Sequence, residues 1–190
     1  MAFNAYLVFH GSSGIKGEST SVPDGGQPDV AIEITDYGFG VSMPVTTSRS
    51  DGGGATVGRA NFDVFTASKG IDTATVDLVK YCCKGTNVKS IVLHLYRAGG
   101  TSEGGTVKYA MVVFHHCVIT KCGITGSGEE LPKESLEFNY GRCEYIYQLT
   151  KHDTGAGTGQ LKRFGWTTIK NVEATGLQDF NKFLPDDPKD

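Results

Sequence analysis

The sequence lacks both an excess of positive charge and any long hydrophobic run. Its 190 residues contain 18 lysines and arginines against 21 aspartates and glutamates, a formal net charge of -3. Such a chain has no basic field to attract nucleic acid or an anionic membrane. The first nine residues also lack the basic region and long apolar stretch of a signal peptide. We therefore expect synthesis in the cytosol without a cleaved signal peptide, no nucleic-acid partner and no membrane insertion.

Cysteine is scarce, and the five that occur cannot all pair in disulfides. Cys82 and Cys83 are adjacent, which suits reduced thiols better than a disulfide framework. The run His115–Cys117 with Cys122 has the residue types of a zinc cluster, but adjacent residues of a strand point to opposite faces and no Cys-x-x-Cys pair occurs. We predict no metal site and no cofactor.

The spacing of a catalytic or phosphate-binding motif is missing as well. The turn Gly11–Gly14 contains two serines but not the Gly-x-Ser-x-Gly order or its strand-to-helix context. The glycines at 52–54, followed by Gly58, have no Gly-Lys-Ser/Thr ending. The sequence therefore predicts no catalytic residues and a protein that is not an enzyme.

The residues that are abundant alternate with the period of a β-strand. Val107–Thr120 is the most informative stretch, because it is apolar on both parities. One face would carry Val107, Tyr109, Met111, Val113 and Ile119, and the other Ala110, Val112, Phe114 and Val118. Both faces have to be covered, so we expect one to pack on the core and the other on a helix, a second sheet or another copy.

Six further segments have strand patterns: Phe3–His10, Asp29–Thr35, Phe39–Val45, Phe62–Thr66, Val88–Arg97 and Phe164–Ile169. The stretch Glu134–Leu149 reads as one long strand whose apolar parity changes near its middle. A one-residue bulge at Gly141–Arg142 would reconcile the two halves, and bulges of this kind bend sheets.

One segment has the period of a helix, and another has no period at all. In Asp72–Lys84 the residues Val76, Val79 and Cys83 recur at helical spacing, with Leu78 and Cys82 beside them. Asp72 is a candidate N-terminal cap and Gly85 a C-terminal one. The serine-, threonine- and glycine-rich stretch Thr46–Gly58 is too polar to bury a core. It predicts a long loop, and loops of that length are usually functional.

Several short motifs in order resemble the Hcp (haemolysin-coregulated protein) family of type VI secretion tube subunits. They are Ile15–Ser19, Tyr37–Ser42, Asp72–Thr75, Tyr96–Gly100, Glu134–Phe138, Gly165–Trp166 and Lys170–Asn171. The resemblance extends from the first residues to Glu173 and so covers almost the whole chain.

This resemblance implies a mainly β fold, an antiparallel β-barrel with one short flanking α-helix, similar to phage tail-tube proteins. It implies a tube domain at residues 1–175 and a polar, flexible tail at 176–190. Six copies would close into a ring, and rings would stack into a hollow tube inside a contractile sheath, capped by a valine-glycine repeat spike protein. The tube would be cytoplasmic before firing and would then be expelled with secreted effector proteins in its lumen.

The resemblance also implies two functional regions. Gly38, between Tyr37 and Phe39, matches the small residue that faces the tube interior in the family and contacts effectors. The polar loop Thr46–Gly58 matches the family's extended loop, which contacts neighbouring subunits and the next ring. Its candidate residues are Thr46, Ser48, Asp51, Gly52, Gly53, Gly54 and Gly58.

Two alternatives remain at this point. The chain could be the tube subunit of a phage or of another contractile injection machine, which shares the same class of assembly. It could also be a soluble sugar-binding or hydrolytic β-sandwich, for which a monomer with a deep, polar-lined pocket would be diagnostic.

Overall fold

The computed structural model describes residues 3–11, 14–20, 30–46, 56–98, 106–128, 131–151 and 156–182. These ranges form a mainly β fold with a single helix, as the sequence predicts. The strands are β1 (Phe3–His10), β2 (Ala31–Ile34), β3 (Asp36–Gly38), β4 (Val41–Ser42), β5 (Val45–Thr46), β6 (Thr56–Val57), β7 (Asn61–Phe62), β8 (Phe65–Gly70), β9 (Asn87–Ala98), β10 (Thr106–Thr125), β11 (Lys133–Asn139), β12 (Arg142–Thr150), β13 (Gly157–Thr167) and β14 (Val172–Glu173). The helix α1 spans Ala74–Lys84.

All strand pairs are antiparallel, and the 20-residue strand β10 lies at the centre of the main sheet. The hydrogen-bonded order is β14, β13, β12, β10, β11, β8 and β3. A branch leaves β10 through β9 and continues to β1 and β2. Because β10 is long enough to pair with three strands, it joins the two parts of the sheet into one body.

The closed barrel expected from the resemblance is not formed by the ladders of the described residues. β2 pairs with β1 alone, and β3 pairs with β8 alone. These two short strands follow each other in the chain, separated by a bend at Thr35, whose backbone N–H donates to the carbonyl of Ser68 at 2.8 Å. The bend interrupts the ladder, so the chain itself, rather than strand pairing, connects the two ends of the sheet.

Both faces of β10 are buried, as its sequence predicts. Val112 and Phe114 belong to the main core cluster, which also holds Leu78 of the helix. Met111 and Val113 lie in a second cluster on the opposite face. The helix therefore covers the main core, and the second face is covered by another part of the chain.

That covering part is the beginning of the segment after residue 175, which was expected to be flexible. Phe180 is buried against Met111 and Ile146, and Gln178 is also buried. Residues 176–182 thus lie on the sheet, because the apolar side chains of Leu177 and Phe180 give them a place to pack. Residues 183–190 lie outside the described residues, and the domain division at residue 175 stays a prediction.

The parity of β10 changes at His116, which the alternation in sequence did not reveal. His116 has a φ of 55°, in the left-handed region. This local turn of the backbone places Ile119 in the main core with Phe114, whereas the sequence had grouped it with Met111 and Val113. A positive φ in a non-glycine residue leaves no apolar signature, so strict alternation assigned Ile119 to the wrong face.

The long strand predicted at Glu134–Leu149 is divided into β11 and β12, with the break where the bulge was expected. Gly141 lies between the two strands, and its N–H donates to the carbonyl of His115 at 3.0 Å. Both strands pair with β10, but β11 continues to β8 and β12 to β13. The parity change therefore marks the point at which the sheet forks.

The helix ends where it was predicted to end, but its N-cap is Thr73 rather than Asp72, and its buried face includes Leu78 from beside the predicted stripe rather than the stripe itself. Gly85 ends it in the left-handed conformation, and the carboxylate of Asp72 accepts the N–H of Ala74 at 2.9 Å, one residue before the N-cap Thr73. The buried residues are Ala74, Thr75 and Leu78, whereas the predicted stripe Val76, Val79 and Cys83 is exposed. The small size of Ala74 and Thr75 lets the helix approach the sheet closely, a reason that hydrophobicity alone does not show.

A polar sheet face and a hairpin arm as the candidate functional site

Four neighbouring strands present a row of small and polar side chains on the face away from the main core. Register aligns Gly38 of β3 with Thr66 of β8, then with Glu137 of β11 and Lys121 of β10. A second row in the same order holds Asp36, Ser68, Ser135 and Gly123. These eight residues are called the polar face below. All are at least partly exposed, which makes this face a hydrophilic surface on a firmly packed sheet.

Aromatic packing on the other side of the sheet holds the polar face in place. The rings of Tyr37 and Phe39, the neighbours of Gly38, stack on Phe65 with centroids 6.5 and 5.8 Å away. Phe65 in turn stacks on Phe138 at 4.6 Å. Because strand side chains alternate, anchoring Tyr37 and Phe39 in the core directs position 38 to the polar face.

Gly38 has an ordinary strand backbone, and the space around it is not closed to a side chain. The Thr66 hydroxyl donates to the Gly38 carbonyl at 3.2 Å. A Cβ atom built at Gly38 would lie 3.0 Å from Thr66 Oγ1, and Gly38 is not among the positive-φ glycines. A larger residue is therefore tolerated with a small movement of Thr66, and its side chain would project from the polar face.

The polar face carries three charged side chains, Asp36, Lys121 and Glu137, and the last two pair with each other. Lys121 Nζ lies 2.7 Å from Glu137 Oε1, and both side chains are partly exposed. An exposed pair of this kind contributes at most about 1 kcal/mol to stability. With Asp36 also on this face, the face is hydrophilic and carries one carboxylate in excess.

The second predicted region, Thr46–Gly58, continues a pair of short antiparallel strands, which we call the hairpin arm. β4 pairs with β7, and β5 pairs with β6, so residues 40–46 and 56–63 leave the sheet as two antiparallel segments. Thr46 lies in β5, opposite Thr56, and Gly58 donates its N–H to the carbonyl of Pro44 at 3.0 Å. The strand predicted at Phe39–Val45 and the start of the one at Phe62–Thr66 thus belong to the arm. Ser48, Asp51, Gly52, Gly53 and Gly54 lie outside the described residues.

The arm exposes apolar side chains. Val41, Met43 and Val45 stand at alternate positions and are 58%, 47% and 50% exposed. At the base of the arm, a cleft of about 350 Å³ is lined by Phe39, Gly40, Val41, Phe62, Tyr145 and Phe164. Contiguous exposed apolar surface on a soluble protein marks a site of contact with another protein.

A buried network of charged side chains was missed by the sequence analysis. Ser90, His115 and Glu144 are fully buried, with 2.7 Å between Ser90 Oγ and His115 Nδ1 and 3.1 Å between His115 Nε2 and Glu144 Oε1. Arg142 Nε donates to Glu144 Oε1 at 2.9 Å. The order resembles a Ser-His-acid triad, but a fully buried hydroxyl has no access to substrate, so the network is structural.

The network holds the C-terminal segment on the sheet. The backbone N–H of Gln178 donates to Glu144 Oε2 at 2.8 Å, and Arg142 donates to the carbonyl of Thr175 at 2.9 Å. Burial by itself would raise the pKa of Glu144, but the hydrogen bonds from His115 and Gln178 outweigh it, and the pKa is lowered. The alternation of Arg142 and Glu144 within an apolar strand was the signal in the sequence that could have revealed the network.

The histidine and cysteine run considered as a zinc cluster is dispersed by the fold. His115 is buried in the network, whereas His116 is exposed. In the described ranges no group of three or more histidine, cysteine or acidic side chains is placed to hold a metal ion. The helix α1, with 11 residues, is too short to cross a membrane, and within those ranges no other helix is present.

Comparison with known proteins identifies a family and several solved structures of the same fold. A family model described as "Type VI secretion system effector, Hcp" matches residues 6–147. No curated protein matches the chain. The solved structure titled "Structure of a type six secretion system protein" is 23% identical, with a TM-score of 0.78, over 91% of this chain and 100% of that one.

Two further structures are similar in fold. Hcp1 from Salmonella typhimurium is 20% identical, with a TM-score of 0.69, over 92% of this chain and 100% of its own. A type VI secretion system effector from Yersinia pestis is 18% identical, with a TM-score of 0.59, over 86% and 98%. At these identities the structures establish a shared fold, and the family model, which covers most of the chain, establishes membership: the chain belongs to the Hcp family of type VI secretion proteins.

Proposed function

We propose that this chain is the inner-tube subunit of a type VI secretion system, and that six copies close into a ring whose stacking builds a hollow tube. The observation that carries the proposal is the polar face, a hydrophilic surface of small side chains supported by a tightly packed aromatic core. A water-filled channel requires a wall of this kind. The Hcp family is one of structural tube proteins rather than enzymes, and we assign no catalytic role to this chain.

The polar face would form the wall of the lumen. Its small and polar residues leave room for cargo, and its charges are few, with one carboxylate in excess. Gly38, the position without a side chain, would lie where effector proteins pass. Weak, reversible contacts suit a carrier that must release what it holds.

The hairpin arm would supply contacts between subunits or between rings. A ring needs two different complementary surfaces on each copy, because each subunit meets one neighbour on either side. The exposed Val41, Met43 and Val45 offer one such apolar surface. Burying them in an assembly would remove a patch that is unfavourable in water, and would also protect the short, open strands of the arm from irregular pairing.

The remaining partners follow from membership in the family. We propose that the tube assembles within a contractile sheath beneath a valine-glycine repeat spike protein, and that it is expelled from the cytoplasm with effectors inside. The closed ring, and not the isolated subunit, is the functional unit in this proposal.

The direct test is the mass of the purified protein in solution. Light scattering coupled to size exclusion is expected to give the mass of six chains, and negative-stain microscopy is expected to show rings with an open centre. A homogeneous monomer at micromolar concentration, without rings in the micrographs, would contradict the proposal.

A further inference from the structure

Two cysteines from different elements face each other between the helix and the sheet. Cys82 lies on the side of α1 that packs on the core, four residues after Leu78 and eight after Ala74. Cys122 lies on β10, opposite Leu136 of β11. Both side chains are partly buried, and both pack against the main core cluster.

The two thiols are in contact but not bonded. Cys122 and Cys82 are joined by a hydrogen bond between their side chains, and both are free cysteines. Disulfide formation requires Cβ atoms at roughly 4 Å and a suitable rotamer for each sulfur. Because α1 packs against β10 and both cysteines contact the same core cluster, the two thiols are placed to approach that geometry.

The surroundings of the two thiols favour reaction of Cys82 with an oxidant before Cys122. Burial raises the pKa of Cys122 to about 12, with smaller contributions from Cys82 and Glu134. Cys122 is therefore protonated at neutral pH and a poor first nucleophile, since the thiolate is the reactive form. Cys82, partly open to solvent near the end of the helix, is the better point of entry for an oxidant.

We propose that Cys82 and Cys122 form an intramolecular disulfide that joins α1 to β10 when the protein meets an oxidising environment. The oxidant is a small disulfide of the glutathione class. The Cys82 thiolate attacks one of its sulfurs, forms a mixed disulfide and releases one thiolate, which takes up a proton. The Cys122 thiol then loses its proton and attacks the Cys82 sulfur, expelling the second thiol. The protein gives up two electrons and two protons, and the small disulfide becomes two thiols.

Exposure of the protein to an oxidant in its natural setting rests on the proposed function, because secretion would carry it from the reducing cytosol to an oxidising exterior. Formation of the bond does not depend on it. A bond between residues 82 and 122 closes a long chain segment that contains β9 and most of β10. Such a closure is expected to raise the melting temperature by roughly 5–10 °C.

The test uses the full-length protein incubated with oxidised glutathione under native conditions. The intact mass is expected to fall by two hydrogen atoms, and a non-reducing tryptic digest is expected to link residues 81–84 to residues 122–133. Residues 81–84 contain both Cys82 and Cys83, so the digest is repeated with Cys83→Ser, which must retain the link. Cys82→Ser and Cys122→Ser must each lose it.

Two results would overturn the proposal. One is a folded wild-type protein in which Cys82 and Cys122 both remain open to alkylation after oxidation. The other is a bond from Cys82 to Cys83 in place of the predicted one. The light-scattering mass of the same sample separates the two hypotheses: a linked monomer contradicts only the ring, and an unlinked ring contradicts only the disulfide.

Discussion

Glu144 of β12 accepts the backbone N–H of Gln178 through one carboxylate oxygen and the side chains of His115 and Arg142 through the other. One buried carboxylate thereby joins the sheet to the segment that carries Phe180 over its second apolar face. This relationship attaches residues 175–182 to the sheet, and it predicts where the fold is sensitive to mutation and to acid.

Glu144→Gln is expected to lower the free energy of unfolding by about 3–5 kcal/mol, because it leaves the buried Arg142 guanidinium without a charged partner. Chemical denaturation monitored by circular dichroism measures the change. Glu137→Gln is the matched control, since it removes a carboxylate whose ion pair with Lys121 is exposed, and it should cost less than about 1 kcal/mol. Equal effects of the two variants would contradict the structural role of the network.

The same carboxylate predicts a loss of stability in acid. The folded-state pKa of Glu144 is below its ordinary value, so its contribution is fully present above the unfolded-state pKa of about 4.3 and is lost as pH falls through the lower folded-state pKa. The stability difference between wild type and Glu144→Gln should therefore be largest near neutral pH and shrink below about pH 4. Unfolding curves of both proteins across this range provide the measurement. A difference independent of pH would mean that Glu144 does not act through its charge.

Gly38→Arg tests the lumen. The substitution places a long cation on the polar face and is expected to reduce effector co-purification at least several-fold while leaving the ring intact. Gly38→Ser is the matched control, because its Cβ meets Thr66 Oγ1 at the same 3.0 Å but adds no long side chain. Undiminished effector binding by intact arginine rings would refute the assignment of Gly38 to the lumen.

The role of the hairpin arm in assembly is tested by placing a charge at one of its exposed apolar positions. Val45→Asp is expected to weaken assembly by tenfold or more, because the contact would have to bury a carboxylate without a partner. Val172→Asp, on β14, is the control, since Val172 is 49% exposed against 50% for Val45. Sedimentation velocity over a range of concentrations measures both. Identical assembly of the two variants would mean that the arm does not contact a neighbouring copy.

The tip of the arm is tested by its length. Deleting residues 52–55 is expected to leave the circular dichroism spectrum unchanged and to reduce secretion of the tube into the medium, because ordering of a polar loop has to be offset by contacts in the assembly. A secretion assay with the deletion and the wild-type protein at matched expression is the measurement. Secretion at the wild-type level would reduce the loop to a spacer.

The strands were predictable where side-chain alternation agreed with local backbone geometry. β1 has the bounds that its pattern predicts, and β9 and β10 extend the predicted strands by a few residues. Gly85 ended the helix as expected, because few residues other than glycine accept its φ of 60° without strain. The structure places Gly38 on the face opposite its aromatic neighbours, as strand alternation requires, whereas its role in the lumen was implied by the resemblance and stays a prediction.

Prediction failed where the outcome depended on partners distant in the chain. The stripe of α1 was placed at Val76, Val79 and Cys83 with Leu78 beside it, and only packing against the sheet selects Leu78, Ala74 and Thr75 as the buried residues. The strand pattern was recognised at Phe39–Val45 and Phe62–Thr66, but β6 at Thr56–Val57 fell in the predicted loop because a two-residue strand is too short to show a period. The assignment of Ile119 failed at His116, whose positive φ is maintained by the surrounding ladder.

The sequence by itself determined the class of fold, the principal strands, the single helix and the family resemblance, because these depend on periods and motifs within a few consecutive residues. Only the tertiary structure decided that the strand ladders stay open at Thr35, that Ser90, His115, Glu144 and Gln178 form one network, and that Cys82 meets Cys122. Each of these depends on residues that are distant in sequence and are brought together by strand register, and register is fixed by the packing of the whole core.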